Sequence, residues 1–142
     1  MKNLCSLMLF LFLLTSCDKV ADKPILPNAN LIEGQWKLNE AFISAGGPQY
    51  WVDVENGEEL EFYSNGTFSS NRFTECTTGT FSLEEIKLSL EYDCDEFETQ
   101  SENNDGFITY DLELFSNHFI LTPTSGPICI EGCSYKYQSE NN

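Results

Sequence analysis

The chain has six cysteines and only one histidine, so the cysteines are its main candidates for metal binding or disulfide formation. The cysteines are Cys5, Cys17, Cys76, Cys94, Cys129 and Cys133. Structural zinc sites usually combine thiolates and imidazoles, often with two cysteines two residues apart. The chain contains no Cys-x-x-Cys, and the lone His118 follows the turn-like pair Ser116-Asn117. The sequence therefore predicts no metal site at the cysteines.

Carboxylates are the second chemical resource, with 23 Asp and Glu against 7 Lys and Arg and a net charge of −16. Such a charge repels phosphate backbones, which excludes sequence-independent nucleic-acid binding and leaves a basic protein, a cation or a neutral apolar ligand as partners. Glycosidases need two carboxylates that flank one bond, but Glu59 and Glu61 share the outward face of one predicted strand. Ser-His-Asp, G-x-S-x-G, P-loop and H-E-x-x-H patterns are absent. We expect neither enzymatic activity nor a cofactor.

An acidic loop over residues 93–106 has enough oxygen ligands for calcium, which takes six to eight. The pair Asp105-Gly106 has neither the D-x-D-x-D-G spacing nor a glutamate at the twelfth position of an EF-hand loop. We therefore expect a solvated loop here.

The N-terminus has the pattern of an export signal. Lys2 precedes the apolar run Leu4–Leu14, which at eleven residues is too short to span a bilayer, since a spanning helix needs about 20. The sequence Leu14-Thr15-Ser16-Cys17 resembles the bacterial lipobox; the alternative is an ordinary secretory signal with an incidental cysteine. The resemblance implies removal of residues 1–16, acylation of Cys17 by palmitate-type chains, and anchoring in the cell envelope, at the outer membrane. Which side of that membrane the protein faces stays open.

Residues 17–31 are polar and contain Pro24 and Pro27, which predicts a tether between the lipid and the folded domain. Export also places the remaining cysteines in an oxidising compartment, where disulfides form. Four cysteines allow three pairings. We favour Cys76–Cys94 with Cys129–Cys133, because the first pair lies at the ends of neighbouring predicted strands and the second is close in sequence.

Alternation of apolar and polar residues predicts that the rest of the chain is all-β. The run from Ile86 to Tyr92 is the clearest amphipathic strand. Eight strands are predicted, at about 33–44, 58–64, 67–73, 79–84, 86–92, 107–115, 118–123 and 133–138. Short turns alternate with the longer loops 45–57, 74–78, 93–106 and 124–132, so an up-and-down meander has tight turns at one end and a loop-rich mouth at the other. At Asn65-Gly66 we expect a type I′ turn.

The motif Gly34-Gln35-Trp36 at the head of the first strand resembles the G-x-W of the lipocalins. The wider pattern is similar to lipocalin-like domains of Bacteroidetes-type exported lipoproteins, through the segments 34–38, 60–62, 65–68, 79–81 and 133–137. The resemblance implies an eight-stranded, up-and-down antiparallel barrel or strongly curled sheet over residues 32–139. It also implies that Trp36 packs across the closed base beneath a basic residue of the last strand, where Lys136 is the only base.

We expect a membrane-anchored, non-enzymatic lipoprotein that binds a small apolar or amphipathic ligand at the mouth. Tyr50 and Trp51, in the first long loop after a Gly-Gly-Pro sequence, are the expected contact residues. An alternative is that Trp51 and the many phenylalanines fill the barrel, as side chains often do in small barrels. A second function is a protein-interaction or inhibitor lipoprotein whose acidic surface docks a basic partner such as a lysozyme-like hydrolase.

Overall fold

The computed structural model describes residues 22–44, 46–99, 107–125 and 133–140. The predicted signal peptide and the lipidation residue Cys17 lie outside these ranges. Within them, no helix has the length and apolar character that crossing a membrane requires.

One short helix and nine strands make up the described chain. In chain order they are α1 (Ala29–Ile32), β1 (Gly34–Ile43), β2 (Tyr50–Asp53), β3 (Glu59–Phe62), β4 (Thr67–Ser70), β5 (Thr78–Glu84), β6 (Lys87–Tyr92), β7 (Phe107–Leu114), β8 (His118–Pro123) and β9 (Ser134–Ser139).

Eight of the strands form a closed antiparallel barrel, which confirms the predicted fold class. Each strand from β3 to β8 pairs with the next, β1 pairs with β3, and β1 closes the ring against β9. The register of that closure places Leu38 opposite Tyr137, with a bulge before Glu40.

The ninth strand, β2, lies in a segment that the sequence predicts to be a loop. It pairs with the second half of β1, Glu40–Ile43, while β3 pairs with the first half, Gly34–Lys37. Because β1 has ten residues and β3 only four, the upper half of β1 has a free edge that β2 covers. β2 and β3 thus pair with successive halves of the same edge of β1.

The two ends of the barrel differ as the meander predicts. Tight turns join β3 to β4, β5 to β6 and β7 to β8 at one end, the base, and longer connections lie at the mouth. The predicted turn type at Asn65-Gly66 is wrong: only Gly66 takes a positive φ, 83°, and its N–H donates to the Tyr63 carbonyl at 3.0 Å. This is a type I turn followed by a left-handed glycine, which leaves Asn65 free to accept from the Thr67 N–H with its side chain.

The base is sealed by residues that precede the first strand. Asn28 caps α1, and Ile32 at its end is fully buried. The Trp36 indole N–H donates to the Ile32 carbonyl at 2.8 Å, and its ring lies 4.6 Å from that of Phe119. Trp36 therefore packs across the base, and no residue in this arrangement is basic.

The barrel is filled by its own side chains through most of its height. Those exposed by less than 2% include Tyr137, Phe62, Phe68, Phe119, Leu60, Leu88, Leu90, Ile108, Leu112 and Leu121. Large apolar groups from every barrel strand except β1 and β5 meet here, as expected for a small barrel. Any ligand site in the described interior must therefore lie near the mouth.

Candidate functional site

The inner wall changes from apolar to polar toward the mouth. The residues that make this change, here called the polar cluster, are Glu58, Ser70, Arg72, Tyr92, Tyr110 and Tyr137. Side chains alternate between the faces of a strand, so Glu58 points inward with the buried Leu60 and Phe62. Tyr110 and Tyr137 reach the cluster from the middle of β7 and β9.

Glu58 owes its position to the break between β2 and β3. Residues 54–58 leave the strand, Asn56 takes a positive φ of 54°, and the chain rejoins β1 where the Leu38 N–H donates to the Glu58 carbonyl at 2.8 Å. Gly57 lies so close to Leu38 that a Cβ built on it would stand 3.0 Å from the Leu38 Cβ and closer still to its carbonyl. A glycine is therefore required beside the cluster's only carboxylate.

The Glu58 carboxylate is the centre of the hydrogen bonds. Its side chain is only 10% exposed. Tyr137 Oη donates to Oε2 at 2.8 Å, and Ser70 Oγ donates to Oε1 at 2.6 Å. A guanidinium nitrogen of Arg72 lies 3.8 Å from Oε2. A buried carboxylate needs such compensation, since an unpaired charge in the interior is costly.

Arg72 is the only arginine in the chain. Its Nη1 donates to Tyr110 Oη at 3.1 Å, and its backbone N–H donates to Ser70 Oγ at 3.0 Å. Burial works against the guanidinium charge, but interactions with Tyr110 and Glu58 outweigh it, and the pKa of Arg72 is raised. The side chain remains 25% exposed, so it reaches solvent from within the cluster.

The three tyrosines of the cluster stay protonated at neutral pH. Burial, reinforced by Glu58, raises the pKa of Tyr92 to about 12, against smaller opposing effects of Ser70 and Arg72. Burial likewise raises the pKa of Tyr110 and of Tyr137. The tyrosines therefore present neutral hydroxyls that can donate hydrogen bonds.

Tyr92 differs from the other two because its buried hydroxyl makes no hydrogen bond of acceptable geometry with a described residue, although Ser70 lies close enough to lower its pKa. The side chain is 6% exposed. Buried polar atoms are nearly always hydrogen-bonded, so a buried hydroxyl without a partner, here called the orphan hydroxyl, marks a place where a partner is missing. The orphan hydroxyl gives the cluster an unused donor.

An aromatic surface adjoins the polar cluster. The rings of Phe73 and Phe97 each lie 5.2 Å from Tyr92 and 5.0 Å from each other, and Phe68 lies 5.1 Å from Tyr92. Phe73 and Phe97 are only partly buried. The loops that carry them are joined by the Cys76–Cys94 disulfide, which confirms that predicted pairing. Charged, hydroxyl and apolar groups thus meet at one end of the barrel.

The predicted contact residues Tyr50 and Trp51 lie on β2, outside the polar cluster. Consecutive strand residues face opposite sides, so the two cannot line the mouth together. Trp51 packs on the outward Phe42 with ring centroids 5.1 Å apart, and Lys136 Nζ lies 5.7 Å from its ring. Tyr50 is on the inward side of β2 and is 51% exposed. Trp51 does not plug the barrel, and Lys136 stands on the outer surface, paired with Glu40.

The other predicted site residues are placed as follows. Gly34 has a φ of 114°, a conformation that favours glycine at the start of β1. Cys133 is disulfide-bonded, and its predicted partner Cys129 lies outside the described residues, as do residues 100–106 of the acidic loop 93–106. Cys76, Cys94 and the neighbouring Asp93 come close enough to hold a metal ion, but the two sulfurs are bonded to each other and offer no thiolate.

The sequence analysis predicted none of the six residues of the polar cluster as a site residue. One signal for Arg72 was available: a single arginine at the mouth-side end of a strand in a strongly acidic chain. For Tyr92 there was none, because an unpaired hydroxyl is a property of the packed structure.

Solved structures of other proteins resemble this chain, at low sequence identity. No protein-family model and no curated protein matches the chain. A solved lipocalin-like protein from Bacteroides uniformis ATCC 8492 is 18% identical, with a TM-score of 0.48 over 76% of this chain and 97% of that one. An uncharacterized protein from Bacteroides eggerthii DSM 20697 is 17% identical, with a TM-score of 0.42 over 76% and 98%. The fold assignment rests on the strand order and closure described above.

Proposed function

We propose that this protein is a non-enzymatic ligand-binding module that takes a small amphipathic ligand at the mouth of its barrel. The observation that carries the proposal is the polar cluster, with its orphan Tyr92 hydroxyl, directly beside the partly buried rings of Phe73 and Phe97. Ligand pockets combine an apolar lining with a few placed polar groups in this way. Because the interior below is filled, the ligand sits in the mouth.

The chemistry of the cluster selects the polar end of the ligand. Arg72 is paired with Glu58 at 3.8 Å but is 25% exposed and has further guanidinium N–H donors, and Tyr92 can donate a hydrogen bond that no described residue accepts. Both favour an acceptor group, and a carboxylate suits them best because it accepts from a guanidinium and a hydroxyl at once. The apolar part of the ligand would cover Phe73 and Phe97. Fatty acids and bile-acid-like compounds combine a carboxylate with an apolar part in this way.

The test is the rise in melting temperature that each compound produces, since a ligand that binds only the folded state stabilises it. Arg72→Gln should abolish the rise, whereas Lys37→Gln should keep it, because Lys37 pairs with Glu59 on the outer surface. The shift is measured for each variant with and without ligand, so a change in basal stability cancels. An equal response of both variants, or none in the wild type across the panel, would refute the mouth site.

We further propose that the protein is held in the bacterial cell envelope, at the outer membrane, by acyl chains on Cys17. The support is the lipobox-like Leu14-Thr15-Ser16-Cys17 after a short apolar run. Mass spectrometry of the protein from its native membrane should find an acylated N-terminal residue 17. Cys17→Ser should release the protein into the soluble fraction; an unmodified Cys17 would contradict the anchor.

A second candidate function is the docking of a basic protein, such as a lysozyme-like hydrolase, on the acidic surface. Four of the described bases already pair with carboxylates: Lys37, Arg72, Lys87 and Lys136. A partner would therefore meet mainly unneutralised acids, which steer a cationic protein in a salt-dependent way. Retention of lysozyme at low salt and its loss at high salt would support this function. No retention at low salt would exclude lysozyme.

A further inference from the structure

The N-terminal segment enters the barrel at its base. The Ile25 N–H donates to the Leu114 carbonyl at 2.7 Å, at the end of β7, and Ser116 Oγ in the next turn donates to Asp22 Oδ2 at 3.1 Å. From Asp22 onward, the predicted tether therefore lies against the barrel. Asp22, the first described residue, thus lies at the end of the barrel opposite the mouth.

An exposed apolar patch surrounds this entry point. Leu26 is 79% exposed, Ile25 44% and Ile86, in the turn between β5 and β6, 48%. These three residues, here called the base patch, line a groove of about 640 Å³ between the segment and the outer face of β7 and β8. Pro24 and Pro27 bracket the Ile-Leu pair and restrict its backbone. Apolar side chains that converge on one groove mark an interaction surface.

The length of the preceding chain identifies what covers the base patch. Only residues 18–21 separate Asp22 from Cys17, and five residue steps span at most about 18 Å. If Cys17 carries acyl chains in a bilayer, the patch is held within that distance of the lipid. A second copy of this protein fits less well, because two chains of charge −16 repel each other.

The charges around the groove define the kind of lipid surface. Asp111 and Glu113 line it, and Asp111 pairs with Lys87 at 2.8 Å. Glu113, Asp22 and Lys23 together leave a net negative charge beside the groove, which disfavours an anionic headgroup region. A zwitterionic lipid surface accepts the apolar side chains without that repulsion.

We infer that the base patch rests in the zwitterionic lipid interface that holds the anchor, so that the mouth of the barrel faces away from the membrane. This inference rests on the proposed acylation of Cys17. It adds an orientation: the polar cluster opens to the aqueous side, and ligands reach it from there.

The orientation can be measured with tryptophan as a depth reporter. The chain from Cys17 onward, which contains every described residue, is coupled through the Cys17 thiol to a maleimide lipid in phosphatidylcholine vesicles with brominated acyl chains. Leu26→Trp in a Trp51→Phe background should lose most of its reporter fluorescence to the bromines. The native Trp51, 39% exposed near the mouth, should lose almost none in the wild type. The buried Trp36 is common to both proteins and provides the baseline.

A second reporter tests the patch as a unit. Ile86→Trp in the same background should also be quenched, and adding Leu26→Ser should reduce that quenching at least twofold. Leu31→Ser is the matched control, since Leu31 is an exposed leucine that does not line the groove. It should leave the quenching unchanged.

Three results would overturn the inference: an unquenched tryptophan at position 26, equal quenching at positions 26 and 51, or a stable dimer that covers the patch in sedimentation of the uncoupled chain. Because the maleimide lipid replaces the natural acyl chains, the vesicle result is independent of whether cells acylate Cys17. Mass spectrometry of the native protein decides that question separately.

Discussion

The orphan hydroxyl of Tyr92 makes a quantitative prediction about stability. Tyr92→Phe removes a buried oxygen without a partner and keeps the ring contacts with Phe68, Phe73 and Phe97. A buried polar group that is left unsatisfied costs about 1–3 kcal/mol. We therefore expect the variant to be as stable as the wild type, or more stable by about 1 kcal/mol.

Tyr137→Phe is the matched control, because it removes the same atom from a hydroxyl that is used. Tyr137 is 1% exposed and donates to the Glu58 carboxylate at 2.8 Å. Hydrogen bonds to charged groups contribute about 1.5–3 kcal/mol, and the buried carboxylate would lose one of its donors. We expect a loss of about 2 kcal/mol. Urea unfolding at pH 7 measures both variants, with an unchanged m value as the check on two-state behaviour.

Alkaline pH provides a second measurement of the same group. Because burial raises the pKa of Tyr92 from 10.0 to about 12, the unfolded chain releases this proton first as pH rises. The difference in pKa leaves the free energy of unfolding unaffected below pH 10 and lowers it as the pH rises from 10 through 12. A shift of this size corresponds to roughly 2–3 kcal/mol, so Tyr92→Phe should lose less stability than the wild type over this range.

Equal destabilisation of Tyr92→Phe and Tyr137→Phe at pH 7 would contradict an unpaired Tyr92 hydroxyl, and so would identical alkaline profiles of wild type and Tyr92→Phe. If the mouth binds a ligand through the Tyr92 hydroxyl, Tyr92→Phe should also respond less to that ligand while keeping its stability. A stable variant with weakened binding would separate a binding role from a structural one.

The remaining predictions concern the elements that hold the mouth and the base. Replacing Cys76 and Cys94 together by serine should lower stability by about 3 kcal/mol, since their bond closes a loop with a sequence separation of 18; reduction of the wild type, which also breaks the bond of Cys133, should lower the melting temperature at least as much. Gly57→Ala should cost about 1–3 kcal/mol because its Cβ has no room, whereas Gly47→Ala, with nothing within 4 Å, should change the urea midpoint little. Trp36→Ala should cost about 3–5 kcal/mol at the base, and a loss below 1 kcal/mol would show that the base is sealed without it.

Much of the barrel could be predicted because each strand carries its own pattern. Alternation in β6 and β7 marks the buried face directly, and Leu88, Leu90, Tyr110 and Leu112 are buried as it indicates. The strand β2 escaped prediction because its four residues, Tyr-Trp-Val-Asp, show no clear alternation. Its formation depends on the unpaired upper half of β1, which no local pattern reveals.

The candidate site also has a part that the sequence predicts and a part that it does not. The position of Cys76 and Cys94 at the ends of neighbouring strands follows from strand order, so their disulfide was predictable. Glu58 falls on the same face as Leu60 and Phe62 in the predicted strand, but its contacts with Tyr137 and Arg72 were not predictable, because its place depends on the break between β2 and β3 and on the close approach of Gly57 to Leu38. The choice of Tyr50 and Trp51 as joint contacts assumed a loop, in which neighbouring side chains can share a side; a strand forbids that.

The sequence by itself determined the all-β class, the eight barrel strands, the separation of tight turns from long loops and the disulfide between Cys76 and Cys94. These follow from local periodicity and chain order, which survive in any compact arrangement of the strands. Only the tertiary structure decided that the interior is filled, that Arg72, Glu58 and the tyrosines meet at the mouth, and that the N-terminal segment docks at the base. Those features depend on register and on packing between residues far apart in the chain, where the position of one buried group is set by all of its neighbours at once.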